Sequence, residues 1–311
     1  STTATGEPNY VTGTVLVPKA AWTGGGPRPI VSFAVGTQGV GDPCSSSTAI
    51  PNGVSYQQGA LRAMLNRGWA VAVTDYEGIG TPGDHTYVIK DAEAHALLDI
   101  VRAAQRMPDS QIEPDAPVAF WGYSQGGQAA AAAAELEATY APELEVVGTA
   151  AGGVPADLAV VAENLDGPGN FWFTFLAFAA LGLNAAYPEL DLESYLNDTG
   201  RTLLASGRNA CLIDGLPLGI GRRISDLTTT NPLDTPQWQA RIDEQRLGRV
   251  APAAPVFQFH GGQDQIIPFS QAETLRDDWC AAGARVQWRE YPTTDHIFGV
   301  WTTETDAINW I

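Results

Sequence analysis

Seven short apolar runs, rich in valine, isoleucine and aromatic residues, recur along this chain at residues 11–17, 29–35, 70–76, 118–122, 144–150, 256–260 and 286–291. Their length and composition predict β-strands. Between several of them stand stretches with apolar residues at helical spacing: 55–67, 91–106, 125–140, 270–282 and 303–311. A strand that is followed by a crossover helix returns parallel and right-handed, so the alternation predicts an α/β fold. Its central sheet is expected to be mostly parallel and flanked by helices on both faces.

From about residue 155 to 249 the alternation stops. The segment is rich in leucine and aromatics, reads as helical, and is broken by glycines within 167–169, at 182 and within 215–221. The strand pattern resumes at Val256 as though the same sheet were continuing. The economical reading is an α/β core of residues 1–154 and 250–311 that carries an inserted, mainly helical cap or lid of residues 155–249; a second independent domain is the alternative. No internal repeat is visible, and the alanine run 129–134 is a strong helix former.

The 311 residues, 44% of them hydrophobic, suffice for one large core or two modest ones. Seventeen basic against 35 acidic residues give a formal charge of −18, which repels phosphate backbones and anionic surfaces and argues against nucleic acid as a partner. No basic segment followed by an apolar one opens the chain, so any secretion signal is expected to have been removed. The most apolar run, FWFTFLAFAALG at 171–182, is shorter than the roughly 20 residues that cross a bilayer. No stable membrane anchor is expected, and contact with a lipid interface would be transient. Cys44, Cys211 and Cys280 allow at most one internal disulfide and include no CxxC pair for zinc or thiol exchange.

Residues 122–126, GYSQG, follow one expected strand and open an expected helix. That is the context in which the G-x-S-x-G pattern presents a nucleophilic serine on a strained strand-to-helix turn, where both flanking residues must be small. The helix that begins there aims backbone N–H groups at a developing oxyanion. A serine hydroxyl is a poor nucleophile near neutral pH and needs a histidine base oriented by a carboxylate.

Four histidines are available. His85, in a glycine-rich loop, and His95, on an expected helix, precede Ser124 and read as residues without chemical duty. His260 ends an expected strand and reads as a residue bonded to nearby backbone. His296 lies just past the following strand and before the last expected helix. Asp264, in the loop after His260, is at the same edge, the carboxyl ends of parallel strands where ligands bind. Ser124, Asp264 and His296 thus occur in the order nucleophile, acid, base. Asp295 is a rival acid, but neighbouring side chains are poorly disposed for a carboxylate-to-imidazole contact. The oxyanion donors are expected from the N–H of Gln125 and from the early loop in PIVSFAVGTQG, with Thr37 nominated and Gln38 close behind; a simple glycine-rich turn is the alternative for that loop.

Taken together, GTQGVGDPCSS after an early strand, VTDYEGIGT, GYSQGG, HGGQDQIIP and TTDHIFG resemble the α/β-hydrolase fold and, more narrowly, the secretory lipases typified by Candida antarctica lipase A and their actinobacterial relatives. The resemblance implies an extracellular lipase or esterase, a serine hydrolase of carboxylic esters such as triacylglycerols, with an acyl tunnel shaped by the cap and with Ser124, Asp264 and His296 as its triad. It also implies a disulfide between Cys44 and Cys211, leaving Cys280 unpaired, and requires no metal or organic cofactor. The substrate would be a small-molecule or lipid ester. The same triad would serve a peptidase or an acyltransferase, and a catalytically silent hydrophobic-ligand-binding protein could use the same scaffold. Residues 171–182 fit either an acyl tunnel or a cap core, and Asn197-Asp198-Thr199 fits either a glycosylation acceptor or a capping cluster.

Overall fold

The computed structural model describes residues 1–311. All seven expected strands form: β1 (Gly13–Leu16), β2 (Ile30–Ala34), β3 (Ala70–Thr74), β4 (Val118–Tyr123), β5 (Val146–Gly152), β6 (Val256–Gly261) and β7 (Val286–Tyr291). They make one sheet in the order β1-β3-β2-β4-β5-β6-β7, parallel throughout except for β1, which pairs antiparallel with β3. The strands β2, β3, β4 and β6 are buried along their whole length. Strands covered on both faces are apolar continuously instead of at alternate positions, which is why these runs stand out in the sequence.

After β2 come α1 (Ser46–Ala49) and α2 (Gln58–Asn66), after β3 comes α3 (Lys90–Arg106), and α4 (Gln125–Tyr140) leaves β4 directly after Ser124. Between β5 and β6 the chain forms α5 (Leu158–Leu165), α6 (Phe173–Ala186), α7 (Leu192–Tyr195), α8 (Asp198–Gly207), α9 (Leu212–Gly219), α10 (Ile224–Leu227) and α11 (Pro236–Glu244). The chain closes with α12 (Phe269–Ala281) before β7, then α13 (His296–Thr302) and α14 (Glu304–Trp310). The expected terminal helix 303–311 forms as α14, and His296, before it as expected, opens the additional short helix α13. Asp295 makes this start possible, because its carboxylate accepts from Phe298 N–H at 2.8 Å and caps the helix.

The alanine run has a packing reason as well as a propensity. Ala129–Ala134 are all buried, because α4 lies in the middle of the molecule, against β2, β4 and β5 and beside α3. Side chains of this size let a helix approach a sheet closely. The long segment between β5 and β6 is strapped at its two ends: Leu247 N–H donates to the Ala156 carbonyl at 3.0 Å. Buried Glu135 accepts from Gly248 N–H and from Trp279 Nε1–H, each at 2.7 Å, and so ties the returning chain to α4 and α12. No single helix is long and apolar enough to cross a membrane.

Candidate active site

The strand order reverses at β2. From β2 the chain moves outward to β3, then crosses back over β2 to β4 and continues to β7 in the other direction. Such a switch point opens a crevice beyond the carboxyl ends of the two strands, here β2 and β4. In register, Ala34 of β2 faces Gly122 of β4. Continuing each strand brings the loop 35–38 alongside residues 123–125, so the nominated oxyanion loop and the candidate nucleophile emerge side by side.

Ser124 stands at this point with φ 61° and ψ −124°, a strained backbone for a residue with a Cβ. The strain is imposed by close packing on both sides. A Cβ on Gly122 would lie 1.9 Å from the Gly126 carbonyl oxygen, and one on Gly126 would lie 2.0 Å from that of Ala34. The first turn of α4 therefore touches the backbone of β2 and β4, and both glycines of the motif are steric necessities.

Ser124 Oγ lies 2.8 Å from His296 Nε2, and His296 Nδ1 lies 2.6 Å from Asp264 Oδ2. Only 5% of the His296 side chain is exposed and none of that of Asp264. A carboxylate only accepts, so His296 carries its proton on Nδ1, and its Nε2 lone pair is free to accept the Ser124 hydroxyl hydrogen. The other Asp264 oxygen accepts from Ile266 N–H at 3.0 Å and Ile267 N–H at 2.7 Å, which fixes the carboxylate plane. Burial alone would push the Asp264 carboxyl up; the two imidazoles of His296 and His260 and the Ile267 N–H outweigh it and hold it below the ordinary carboxylate range. Asp295, occupied as the cap of α13, does not reach the imidazole ring of His296 in this way.

His260 bonds to nearby backbone, donating to the Ile267 carbonyl at 3.0 Å, and it also reaches the site: its Nε2 is 3.3 Å from the Asp264 oxygen that holds His296. Burial keeps its basicity low, so it stays neutral. Tyr123 positions the base from below, since its hydroxyl donates to the His296 carbonyl at 2.9 Å. His95 bonds to the Thr2 carbonyl at 3.0 Å and stacks near Tyr140, away from the triad. His85, in contrast, is buried behind Gln125, its Nε2 3.1 Å from the Gln125 side-chain nitrogen. Glu93 contacts the same nitrogen at 2.8 Å. In the sequence the only mark of Glu93 is a charge aligned with Ala96, Leu97 and Val101 on the buried face of α3.

The loop that carries Thr37 is fastened at every residue. Val35 accepts from the Tyr76 hydroxyl at 2.9 Å, Gly36 N–H donates to Gln57 at 2.9 Å, and the Thr37 hydroxyl and carbonyl bond to Tyr87 at 2.7 Å and Tyr56 at 3.3 Å. Gln38 holds the segment between β5 and β6: its carbonyl accepts from Leu212 N–H at 2.8 Å, and Val40 N–H donates to Ala210 at 3.0 Å. The disulfide Cys44–Cys211 closes the same junction, and Cys280 is free and exposed.

Over Ser124 and Gln125 lies a small pocket of about 30 Å³ whose apolar wall includes Tyr87, Leu158, Val161, Phe175, Ala179, Ile266 and Ile267. Helix α6 forms one side of it with Phe175 and Ala179. Its other faces, through Leu176, Ala177, Ala180 and Leu181, line a separate cavity of about 90 Å³ that touches none of the triad. The run 171–182 is thus apolar all round because it is walled by apolar space on both sides. Asn197 caps α8, its oxygen accepting from Gly200 N–H at 2.9 Å while its amide donates to the Asp226 carbonyl at 3.0 Å.

A family model described as "Secretory lipase" matches residues 47–311. The chain belongs to the secretory lipase family. It is 32% identical over 243 residues to a secreted triacylglycerol lipase of Malassezia furfur, covering 75% of this chain and 50% of that protein. A Mycobacterium tuberculosis protein named "Probable inactive lipase" is 30% identical over 308 residues, covering 94% of this chain and 67% of that one. The crystal structure of Candida antarctica lipase A in its closed state superposes with a TM-score of 0.87 at 26% identity, covering 99% of this chain and 76% of that one. The chain spans half the length of the Malassezia lipase and about two thirds of the mycobacterial protein. Family and fold together place it in the α/β-hydrolase fold.

Proposed function

We propose that this secretory lipase family member hydrolyses carboxylic esters with an apolar acyl group through an acyl-enzyme on Ser124. His296 Nε2 accepts the hydroxyl proton as Ser124 Oγ bonds to the ester carbonyl carbon. The carbonyl oxygen becomes an oxyanion that accepts from the N–H groups of Gln125 and Thr37, and Asp264 steadies the imidazolium through Nδ1–H. His296 returns the proton to the departing alkoxide, which leaves as the alcohol. Water then repeats the sequence: His296 takes one of its protons, the hydroxyl oxygen adds to the acyl carbon, and collapse frees the acid and reprotonates Ser124. Each step uses only side chains and backbone of this chain.

The observation that carries the reading is the unbroken contact from Ser124 Oγ to His296 to buried Asp264 on a strained turn, beneath an apolar pocket. Residues 155–249 act as the cap, with α6 as the wall that meets the acyl chain. The half-exposed Phe171 meets Trp172 edge-on, and Trp172 stacks on Phe175 of the pocket wall, giving a lipid chain an apolar route to the serine. Fatty acyl esters, triacylglycerols included, are therefore the substrate class, reached by transient contact with a lipid interface.

The resemblance to a protein named as inactive makes the silent scaffold the reading to beat. Turnover of p-nitrophenyl esters from acetate to palmitate, measured for wild type and Ser124→Ala, decides it. Ester hydrolysis that falls at least about 10³-fold in the variant supports the proposal, whereas no turnover of any ester by the wild-type chain, or turnover that survives in Ser124→Ala, contradicts it.

A further inference from the structure

Behind the oxyanion hole lies a buried polar cluster that the acyl-transfer steps do not use. Gln125 supplies one oxyanion donor through its backbone, but its side chain turns the other way, into the protein. There its amide nitrogen donates to Glu93 Oε1 at 2.8 Å and to His85 Nε2 at 3.1 Å. The direction of each bond follows from the neighbours. His85 Nδ1 is 2.7 Å from the Glu77 carbonyl oxygen, which only accepts, so the proton is on Nδ1 and Nε2 is an acceptor. Glu93 Oε1 receives a second donor, Val88 N–H, at 3.0 Å. Both hydrogens of the Gln125 amide are therefore committed, one to each partner, and both partners are anchored to the loop that joins β3 to α3.

We propose that Glu93 and His85 are positioning residues of the oxyanion hole, gripping the Gln125 side chain by both amide hydrogens so that its backbone N–H stays aimed at the developing oxyanion. The inference rests on the acyl-transfer reading of Ser124. A second consequence comes from the carboxyl itself. Glu93 Oε1 takes two donors while the buried Oε2 takes none from the protein, so nothing within hydrogen-bond reach compensates a charge on Oε2. The titratable groups that face it are Tyr76 from the end of β3 and His85 and Tyr87 from the following loop, with Tyr56 behind Tyr76; Lys90 and Asp91, on its own helix, are partly exposed. None of the groups facing Glu93 is a cation. Burial pushes its carboxyl up to about 8 against the two hydrogen bonds that favour the anion, so it stays neutral at neutral pH. Ionisation above that point places an unpaired buried negative charge behind the atoms that must stabilise a second negative charge, and turnover falls.

The native carboxyl therefore binds a proton more tightly than the unfolded one. Stability falls as pH rises from the unfolded value of 4.5 toward about 8, because in that window the unfolded chain has lost a proton that the folded chain keeps. Glu93→Gln keeps an acceptor oxygen for both donors and cannot ionise; Glu93→Ala keeps neither property.

The experiment measures kcat, KM and thermal unfolding from pH 5 to 10 for wild type, Glu93→Gln, Glu93→Ala and His85→Phe on one p-nitrophenyl ester. The expected result is a wild-type kcat that falls through about pH 8 and a Glu93→Gln profile without that fall. In Glu93→Ala and His85→Phe, kcat drops about tenfold further than in Glu93→Gln while KM hardly moves, since the lost aim matters only to the transition state. A wild-type enzyme whose alkaline limb persists in Glu93→Gln overturns the inference alone. So do alanine and phenylalanine variants that lose stability without any change in kcat. Absence of wild-type turnover removes the acyl-transfer reading and the inference with it. Should Glu93→Ala not fold, the comparison of pH profiles between wild type and Glu93→Gln still decides.

Discussion

Replacing Asp264 by asparagine changes one atom and reverses the hydrogen-bond logic of the site. The asparagine side chain can keep its oxygen on the Ile266 and Ile267 N–H groups, which donate at 3.0 and 2.7 Å, so it is expected to stay in place. Its NH₂ group then faces His296 Nδ1, 2.6 Å from the original oxygen, and His260 Nε2, 3.3 Å from it. A donor there selects the other His296 tautomer, with Nδ1 bare and the proton on Nε2, pointing at Ser124 Oγ. That imidazole cannot accept the serine proton, and no carboxylate remains to stabilise an imidazolium. The expected loss in kcat is about 10⁴-fold, the size of the tautomer effect in serine hydrolases, or about 5.4 kcal/mol at 1.36 kcal/mol per factor of ten. KM should hardly change, because substrate binding uses the apolar pocket. Steady-state hydrolysis of a soluble p-nitrophenyl ester measures it, with Asp295→Asn as the control. That residue only caps α13, and an asparagine oxygen accepts from Phe298 N–H in the same way, so its replacement should cost less than about 1 kcal/mol of stability and leave kcat within a few-fold. An Asp264→Asn enzyme that retains a tenth of wild-type kcat, or an Asp295→Asn enzyme that loses more than Asp264→Asn, refutes the assignment of the acid.

Two further outcomes follow from the cap. Cys44 and Cys211 are 167 residues apart in sequence, so their bridge closes a long loop in the unfolded chain; the double substitution to alanine should cost about 2–5 kcal/mol in denaturant unfolding and loosen the oxyanion loop, with reduced kcat at temperatures well below the melting transition. Ala179 faces the Ser124 pocket from α6, so Ala179→Phe should lower kcat/KM for octanoate at least about tenfold more than for acetate, and equal losses for both esters would show that the acyl chain does not lie against α6.

The middle of the sheet was legible because β2, β3, β4 and β6 are buried on both faces and read as unbroken apolar runs, and Ser124 because its two glycines are forced by backbone contacts. The nucleophile, acid and base candidates could be named from strand ends, since a parallel sheet collects its loops at one edge. What the sequence did not disclose were contacts made through space between distant loops. His260 reads as a strand-end residue until the fold brings its Nε2 against Asp264. His85 and Glu93 meet only at Gln125, 40 and 32 residues away. The start of α13 was hidden for a different reason: Asp295, weighed as an acid, is its cap, and a cap one residue before a catalytic candidate carries two readings in the same letters.

The central claim is that Ser124 is a nucleophile activated by His296. The most direct measurement is reaction with a long-chain fluorophosphonate followed by peptide mapping, for wild type and for His296→Ala. A single adduct on Ser124 is expected in the wild-type protein, formed at least about 10³-fold more slowly when the imidazole is removed. An adduct on another residue, or labelling of Ser124 at the same rate without His296, would contradict it.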